Sequence, residues 1–271
     1  MHFSLRVWLA LVFATSFAFS AHAAGGKIVL TGSSTIAPLM AEIGKRFEER
    51  NPDVRVDVQT GGSSRGITDA RTGLADIGMV SRALKKEEQD LRSFTVAMDG
   101  VGIILNSANP VSELTDQHII DIYTGKLTDW AKVGGPAGPI TVVTKAEGRS
   151  TLELFLAHFK LKASDIRAQV VIGDNQQGIK TVAGNPGAIG YVSVGTAEFE
   201  AGQGSRIKLL NLGGIAASTE NVRNGSFPLA RPLNLVTKDE PSGVVKDFIA
   251  FSQSSEVNDL LEEQFFVPLG P

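Results

Sequence analysis

The chain has 271 residues, 42% of them hydrophobic, a formal net charge of −3 and no cysteine. That length accommodates one large apolar core or two smaller ones, and the missing thiols exclude disulfides and a lipid-modified cysteine, so packing alone must hold the fold. The mild acidic balance, with basic residues scattered along the chain, excludes the concentrated basic footprint of a nucleic-acid binder but leaves room for one locally positive pocket.

Residues 1–23 read as an export signal. Arg6 supplies a basic start, Val7 to Phe19 is almost wholly apolar, and Ala21-His22-Ala23 has the small-x-small form of a cleavage site. The apolar run is shorter than the roughly 20 residues that cross a bilayer, so cleavage after Ala23 and a soluble product outside the cytoplasm are expected.

From Lys27 the chain passes through an apolar strand, Ile28 to Leu30, into the turn Gly32-Ser33-Ser34-Thr35 and then an amphipathic helix from Ile36 to Phe47. A helix opens with backbone N–H groups that lack intrahelical partners, so a hydroxyl-rich mouth is either an ordinary cap or a seat for an anion. Asn51-Pro52 ends the helix. The alternation of Val54, Val56 and Val58 with polar residues predicts a second strand, followed by Gly61-Gly62-Ser63-Ser64-Arg65-Gly66 and a helix over residues 67–72. A third strand, Ile77 to Val80, delivers Ser81 and Arg82, and residues 87–91 suit a short polar helix.

Residues 94–106 form a long β-compatible run, in which Asp99-Gly100 reads as an interrupting turn at a crossing between two units. A helix over residues 114–123 carries His118; residues 140–143 form a strand that leads into Lys145, Gly148-Arg149-Ser150-Thr151 and a helix over residues 152–159. A strand at 170–172, a turn beginning Gly173-Asp174-Asn175, a helix at 179–183 and the strand Ala188 to Val192 follow. Residues 203–226 are rich in Gly, Ser and Asn with a short strand at 207–210; a strand at 233–236 and helices through 251 and at 256–263 close the chain. The repeated strand-to-helix order predicts an α/β fold, with the hydroxyl-bearing turns at the carboxyl ends of the strands.

Hydroxyls, amides and guanidinium groups suit a compact oxyanion, each of whose oxygens needs replacement donors once its water is removed. Catalysis has little support. Only His118 and His158 lie beyond the export signal, each within a helical pattern, and the sequence holds neither a close ligand cluster for a metal nor a Gly-x-Ser-x-Gly turn. Tyr123, Trp130 and Tyr191 occur singly, as core or cleft-rim residues do rather than as a sugar-stacking platform.

Gly32-Ser33-Ser34-Thr35-Ile36-Ala37-Pro38-Leu39, Gly61-Gly62-Ser63-Ser64-Arg65-Gly66, Ala75-Asp76-Ile77-Gly78 with Ser81-Arg82, Asn185-Pro186-Gly187-Ala188-Ile189-Gly190-Tyr191-Val192, Arg231-Pro232-Leu233 and Glu240-Pro241-Ser242-Gly243 together closely resemble the phosphate-binding component of bacterial phosphate ABC transporters. The resemblance implies an α/β, two-lobed periplasmic binding protein fold with mainly parallel central sheets, helices on both faces and a hinged interlobe cleft. It divides the chain into a first lobe of residues 24–102 and 215–271 and a second of residues 103–214. It also implies inorganic phosphate as ligand, an inner-membrane ABC permease as partner, a monomer, and no cofactor. By motif, Ser34, Thr35, the Ile36 amide, Ser63, Ser81 and Arg82 would contact the anion from the first lobe, and Arg149, Ser150 and Thr151 from the second. Many relatives carry Asp at the place of Ser81, where the carboxylate accepts the ligand's proton; Asp99 is the substitute nominated here. The alternatives are another tetrahedral oxyanion such as sulfate or molybdate, an extracellular phosphate-ester hydrolase, or a sensory or adhesive protein on the same fold.

Overall fold

The computed structural model describes residues 26–269, so the export signal lies outside the described residues. Each hydroxyl-rich turn sits where a strand hands over to a helix. The chain runs β1 (Lys27–Gly32), α1 (Ala37–Arg50), β2 (Arg55–Thr60), α2 (Ser63–Thr72), β3 (Ile77–Val80) and β4 (Arg92–Asn106). It continues through α3 (Asp116–Tyr123), β5 (Thr141–Lys145), α4 (Ser150–Phe159), β6 (Val170–Ile172), α5 (Asn175–Gly184), β7 (Ala188–Ser193) and α6 (Val194–Gly202). β8 (Ile207–Leu209), α7 (Thr219–Arg223), β9 (Ala230–Thr237), α8 (Gly243–Ser252), α9 (Asn258–Glu263) and β10 (Val267–Pro268) complete it.

The strands follow the order β2-β1-β3-β9-β4-β7-β5-β6, with β8 and β10 pairing to β4. The two flanks are parallel: β1 between β2 and β3, and β5 between β6 and β7. The middle is antiparallel, because β4 runs against β9, β7, β8 and β10. The sheet as a whole is therefore mixed, with the parallel βαβ character confined to each flank.

Two apolar cores lie on either side of this seam. One draws on Ile28 to Ala97 and then Leu233 to Phe266, with Leu39, Met40, Ile43 and Phe47 of α1 packed on the strands and on Phe248 and Phe251. The other draws on Val101 to Leu229 together with Val267 of β10, around Tyr123, Trp130, Phe155 and Tyr191. Phe155 and Tyr191 stack at 4.2 Å with planes 9° apart, so the tyrosines serve the core, and the Tyr191 hydroxyl reaches Thr144 Oγ1 at 2.6 Å. Burial of each such side chain contributes about 1.5–3 kcal/mol. His118 completes a cap at the start of α3, where its Nδ1 accepts from the Thr115 amide at 3.4 Å.

β4 passes between the cores without a break. Asp99-Gly100 is not a turn: both residues lie within β4 and pair with β9, and glycine suits position 100 because a Cβ there would come within 3.0 Å of Phe227 and Val194. In the same register Asp99 stands directly opposite Arg231 on β9.

Candidate functional site

The first turn is organised by Ser33, which is buried. Its Oγ accepts from the amides of Thr35 at 3.2 Å and Ile36 at 3.4 Å and donates to Ser81 Oγ at 2.9 Å. Ser63, the first residue of α2, accepts the Ser81 amide on its Oγ at 3.2 Å. The three first-flank turns therefore meet. Beside them Ser34 and Thr35 line a cavity of about 540 Å3, whose far wall includes Asp174, Asn175, Thr196 and Phe199.

The facing loop reaches the same point. Ser150 Oγ lies 2.6 Å from Ser81 Oγ, and Thr151 Oγ1 accepts from Arg231 Nη1 at 3.1 Å. Both residues open α4, so the mouth of that helix is aimed at the turns across from it. Close approach depends on Gly62, whose φ is +95° and whose Cβ, if present, would lie 2.6 Å from the Gly148 carbonyl oxygen. That carbonyl accepts the Ser64 amide at 3.2 Å. Arg149 lies across Gly62 and reaches toward Gly173; its Nε is buried with no hydrogen-bond partner among the described residues.

Ser34, Thr35, Ile36, Ser63, Ser81, Arg149, Ser150 and Thr151 thus stand around one place. Two other expected residues do not. Arg82 follows Ser81, but its guanidinium is bonded to Glu88 at 2.6 and 2.8 Å and paired with Glu153 at 2.7 Å. Burial works against its charge, and the two carboxylates outweigh that and raise its pKa. Its charge is spent on them. Asp99, expected to accept a ligand proton, accepts instead from Arg231 at 2.8 and 3.2 Å and from the Gly195 amide at 3.2 Å. It is buried, with its carboxylate committed to Arg231 and Gly195.

Sequence reasoning placed Lys145 in the facing loop as a candidate cation without assigning it a contact, and it missed Ser33, Asn175 and Arg231 as site residues. Arg231 fans its remaining donors toward Thr151, Thr35 and Ser81 at 3.1–3.5 Å, joining both sides of the cleft. Lys145, at the end of β5, is buried and gives its ammonium to Asn175 Oδ1 at 2.9 Å. Asn175 in turn donates to Thr35 Oγ1 at 3.3 Å. Among the described residues no carboxylate forms an ion pair with Lys145. Burial, with repulsion from Arg231 and Arg149 only partly offset by Asp174, lowers its pKa to about 7. A cation held in this way is short of an anion. No group of three or more metal-ligating side chains exists among the described residues, and none of the described helices is long and apolar enough to cross a membrane.

Two α/β units joined by β4 and β9, with hydroxyls and cations from both meeting between them, define a bilobal solute-binding protein. The PBP superfamily domain matches residues 19–256. A crystal structure from Clostridium perfringens, described as a phosphate ABC transporter substrate-binding protein with bound phosphate, is 32% identical with a TM-score of 0.83, over 90% of this chain and all of the other. An ABC-type phosphate transport receptor from Vibrio cholerae is 30% identical with a TM-score of 0.73, over 89% of this chain and all of that one. The phosphate-binding protein PstS of Bacillus subtilis is 27% identical over 251 residues, which span 91% of this chain and 82% of that protein. The chain belongs to the PBP superfamily and, within it, to the PstS-like substrate-binding proteins of ABC transporters. Proteins of this kind bind and deliver without catalysing a reaction.

Proposed function

We propose that the protein captures inorganic phosphate between its two lobes, outside the cytoplasm, and delivers it to an ABC permease. One observation carries the reading: Lys145 is buried with no carboxylate ion-pair partner among the described residues, and Asn175, which accepts its ammonium, donates to hydroxyls on both sides of the cleft, Thr35 and Thr196. Ser34, Thr35, the Ile36 amide, Ser63, Ser81, Arg149, Ser150 and Thr151 supply donors around the anion, with Arg231 and Lys145 in the charge-bearing role first assigned to Arg82. Hydrogen bonds to a charged group contribute roughly 1.5–3 kcal/mol each, so this set can offset the dehydration of phosphate. The lobes part where the two large apolar cores part, after Ala97 in β4 and between Ala230 and Leu233 in β9, and those two strands form the hinge. Residues 1–23 direct export and are removed after Ala23.

Calorimetric titration of phosphate into the phosphate-stripped mature protein is the direct test. Saturable one-to-one heat is expected; silence toward phosphate alongside tight binding of another oxyanion would defeat the assignment. Sulfate belongs in the same titration, because Asp99 is committed to Arg231 and leaves hydroxyls as acceptors of the phosphate proton. Arg149→Ala is expected to weaken phosphate binding about tenfold to a hundredfold, the value of a charge-assisted contact. Unchanged affinity would remove Arg149 from the site.

Gly62→Ala is expected to weaken binding at least about tenfold by holding the lobes apart, since its methyl group would meet the Gly148 carbonyl at 2.6 Å, backbone that cannot swing away, as well as the Arg149 side chain at 2.9 Å. The positive φ adds about 1–2 kcal/mol of strain. Thermal melting without phosphate isolates that strain, and an affinity loss no larger than the strain accounts for would remove Gly62 from closure.

A further inference from the structure

We propose that Glu153 is the latch of the closed protein: a second-lobe carboxylate that holds three first-lobe groups and so sets how long the ligand is retained. The inference rests on the phosphate-capture reading for its ligand, but the latch itself is read from the contacts between lobes. Glu153 sits in the first turn of α4, one turn beyond Ser150. Its Oε2 lies 2.7 Å from Arg82 Nε and 3.1 Å from Lys85 Nζ, and its Oε1 accepts from Ser64 Oγ at 3.2 Å. Ser64 belongs to α2, and Arg82 and Lys85 to the segment after β3, so separate first-lobe elements converge on one carboxylate.

The arrangement is asymmetric. Arg82 is clamped from within its own lobe by Glu88, bidentate at 2.6 and 2.8 Å, and Glu88 also accepts the Lys85 amide at 2.9 Å. That clamp survives opening and leaves the Arg82 charge to meet the other lobe as an ion pair at Nε, without the geometry of a hydrogen bond. Arg82, Lys85 and Glu88 leave the first lobe with one uncompensated positive charge here, and Glu153 brings one negative charge to meet it. The pair is largely shielded from water here: Arg82 is only 3% exposed and the Glu153 side chain is half-buried at 24%. The latch also adjoins the site, since Ser81 meets Ser150 where the next residue, Arg82, meets Glu153. Glu153 thus keeps the Arg82 charge occupied beside the anion as well as holding the lobes together.

Because the chain lacks cysteine, Leu74→Cys in the first lobe and Val171→Cys in the second, both at well-exposed positions, accept a donor and an acceptor dye that report closure by energy transfer. In this background Glu153→Gln is expected to release phosphate about tenfold faster in stopped flow while association stays within about twofold. Lys85→Gln should change release in the same sense by about threefold, and should add nothing on top of Glu153→Gln, as expected of groups acting through one contact. A carboxylate with only a structural role would lower the melting temperature without separating release from association. Release within twofold of the parent for Glu153→Gln, or for Lys85→Gln where the first variant does not fold, overturns the proposal. Should the parent not bind phosphate, the ligand reading fails by itself. The latch is then decided by sodium chloride, which should open the phosphate-free parent by screening and leave Glu153→Gln unaffected; equal salt responses overturn it.

Discussion

Replacing Lys145 with methionine is expected to make the phosphate-free protein more stable and its phosphate complex weaker. The four-carbon stem is nearly matched by methionine, so packing at the end of β5 changes little, and Asn175 Oδ1 keeps a donor in the Ser193 amide at 3.4 Å. What disappears is a buried charge that no carboxylate among the described residues pairs with directly and that Asp174 offsets only in part. Burial and the neighbouring guanidinium groups bring the Lys145 pKa down to about 7 from 10.5. Between those two values the folded protein holds the amine neutral while the unfolded chain is protonated. The unfolded state therefore binds more protons, and stability rises with pH through that window. The variant should lose this slope and gain about 1–4 kcal/mol near neutral pH, as other buried charges do when replaced by apolar groups.

Phosphate reverses the balance. A bound anion restores the ammonium, so binding above pH 7 should take up a proton, which is measurable as a dependence of the calorimetric heat on the ionisation enthalpy of the buffer. Once phosphate is fully dianionic, affinity should fall with further rise in pH. Lys145→Met should show neither effect and should bind about tenfold to a hundredfold more weakly. Undiminished affinity in the variant would mean that the anion sits elsewhere.

Much of this arrangement is legible in the sequence because its parts are local. A strand, a turn dense in Gly and Ser and a helix mouth are written in consecutive residues, and the strands at Ile77–Val80 and Val170–Ile172 have the bounds their apolar runs predict. The hydroxyls of Ser34, Thr35, Ser63, Ser81, Ser150 and Thr151 follow from those turns. What sequence reasoning missed is set by register and by partners far along the chain. Arg231 lies 132 residues from Asp99, and only the antiparallel pairing of β4 with β9 brings them opposite each other. Asp99-Gly100 has the composition of a turn, but both residues pair with β9 within β4, where glycine at position 100 makes room for Phe227 and Val194. Arg82 looks available for an anion until Glu88 and Glu153 are placed around it. Helices α6 and α7 went unread because Val194–Gly202 lacks a clear apolar stripe and Thr219–Arg223 is too short to display one.

Arg231→Met is expected to fail in two ways that a second substitution separates. Truncating the guanidinium leaves the Asp99 carboxylate enclosed with only the Gly195 amide as donor, and breaking a buried pair from one side costs about 3–5 kcal/mol. At about 2–4 °C per kcal/mol for a chain of this size, the melting temperature should drop by many degrees. Adding Asp99→Asn removes the stranded charge while keeping an oxygen for Gly195, so the double variant should regain most of the lost stability. It should not regain phosphate binding, because the donors toward Thr35, Thr151 and Ser81 are still gone. Arg231→Lys should also bind poorly, since a single ammonium cannot hold Asp99 and reach both lobes as the planar fork does. If the double variant bound phosphate as tightly as the parent, Arg231 would be a strut between β4 and β9 and nothing more. If it melts like the parent and binds at least tenfold more weakly, the same cross-strand pair that joins the lobes also orients the groups that hold the anion.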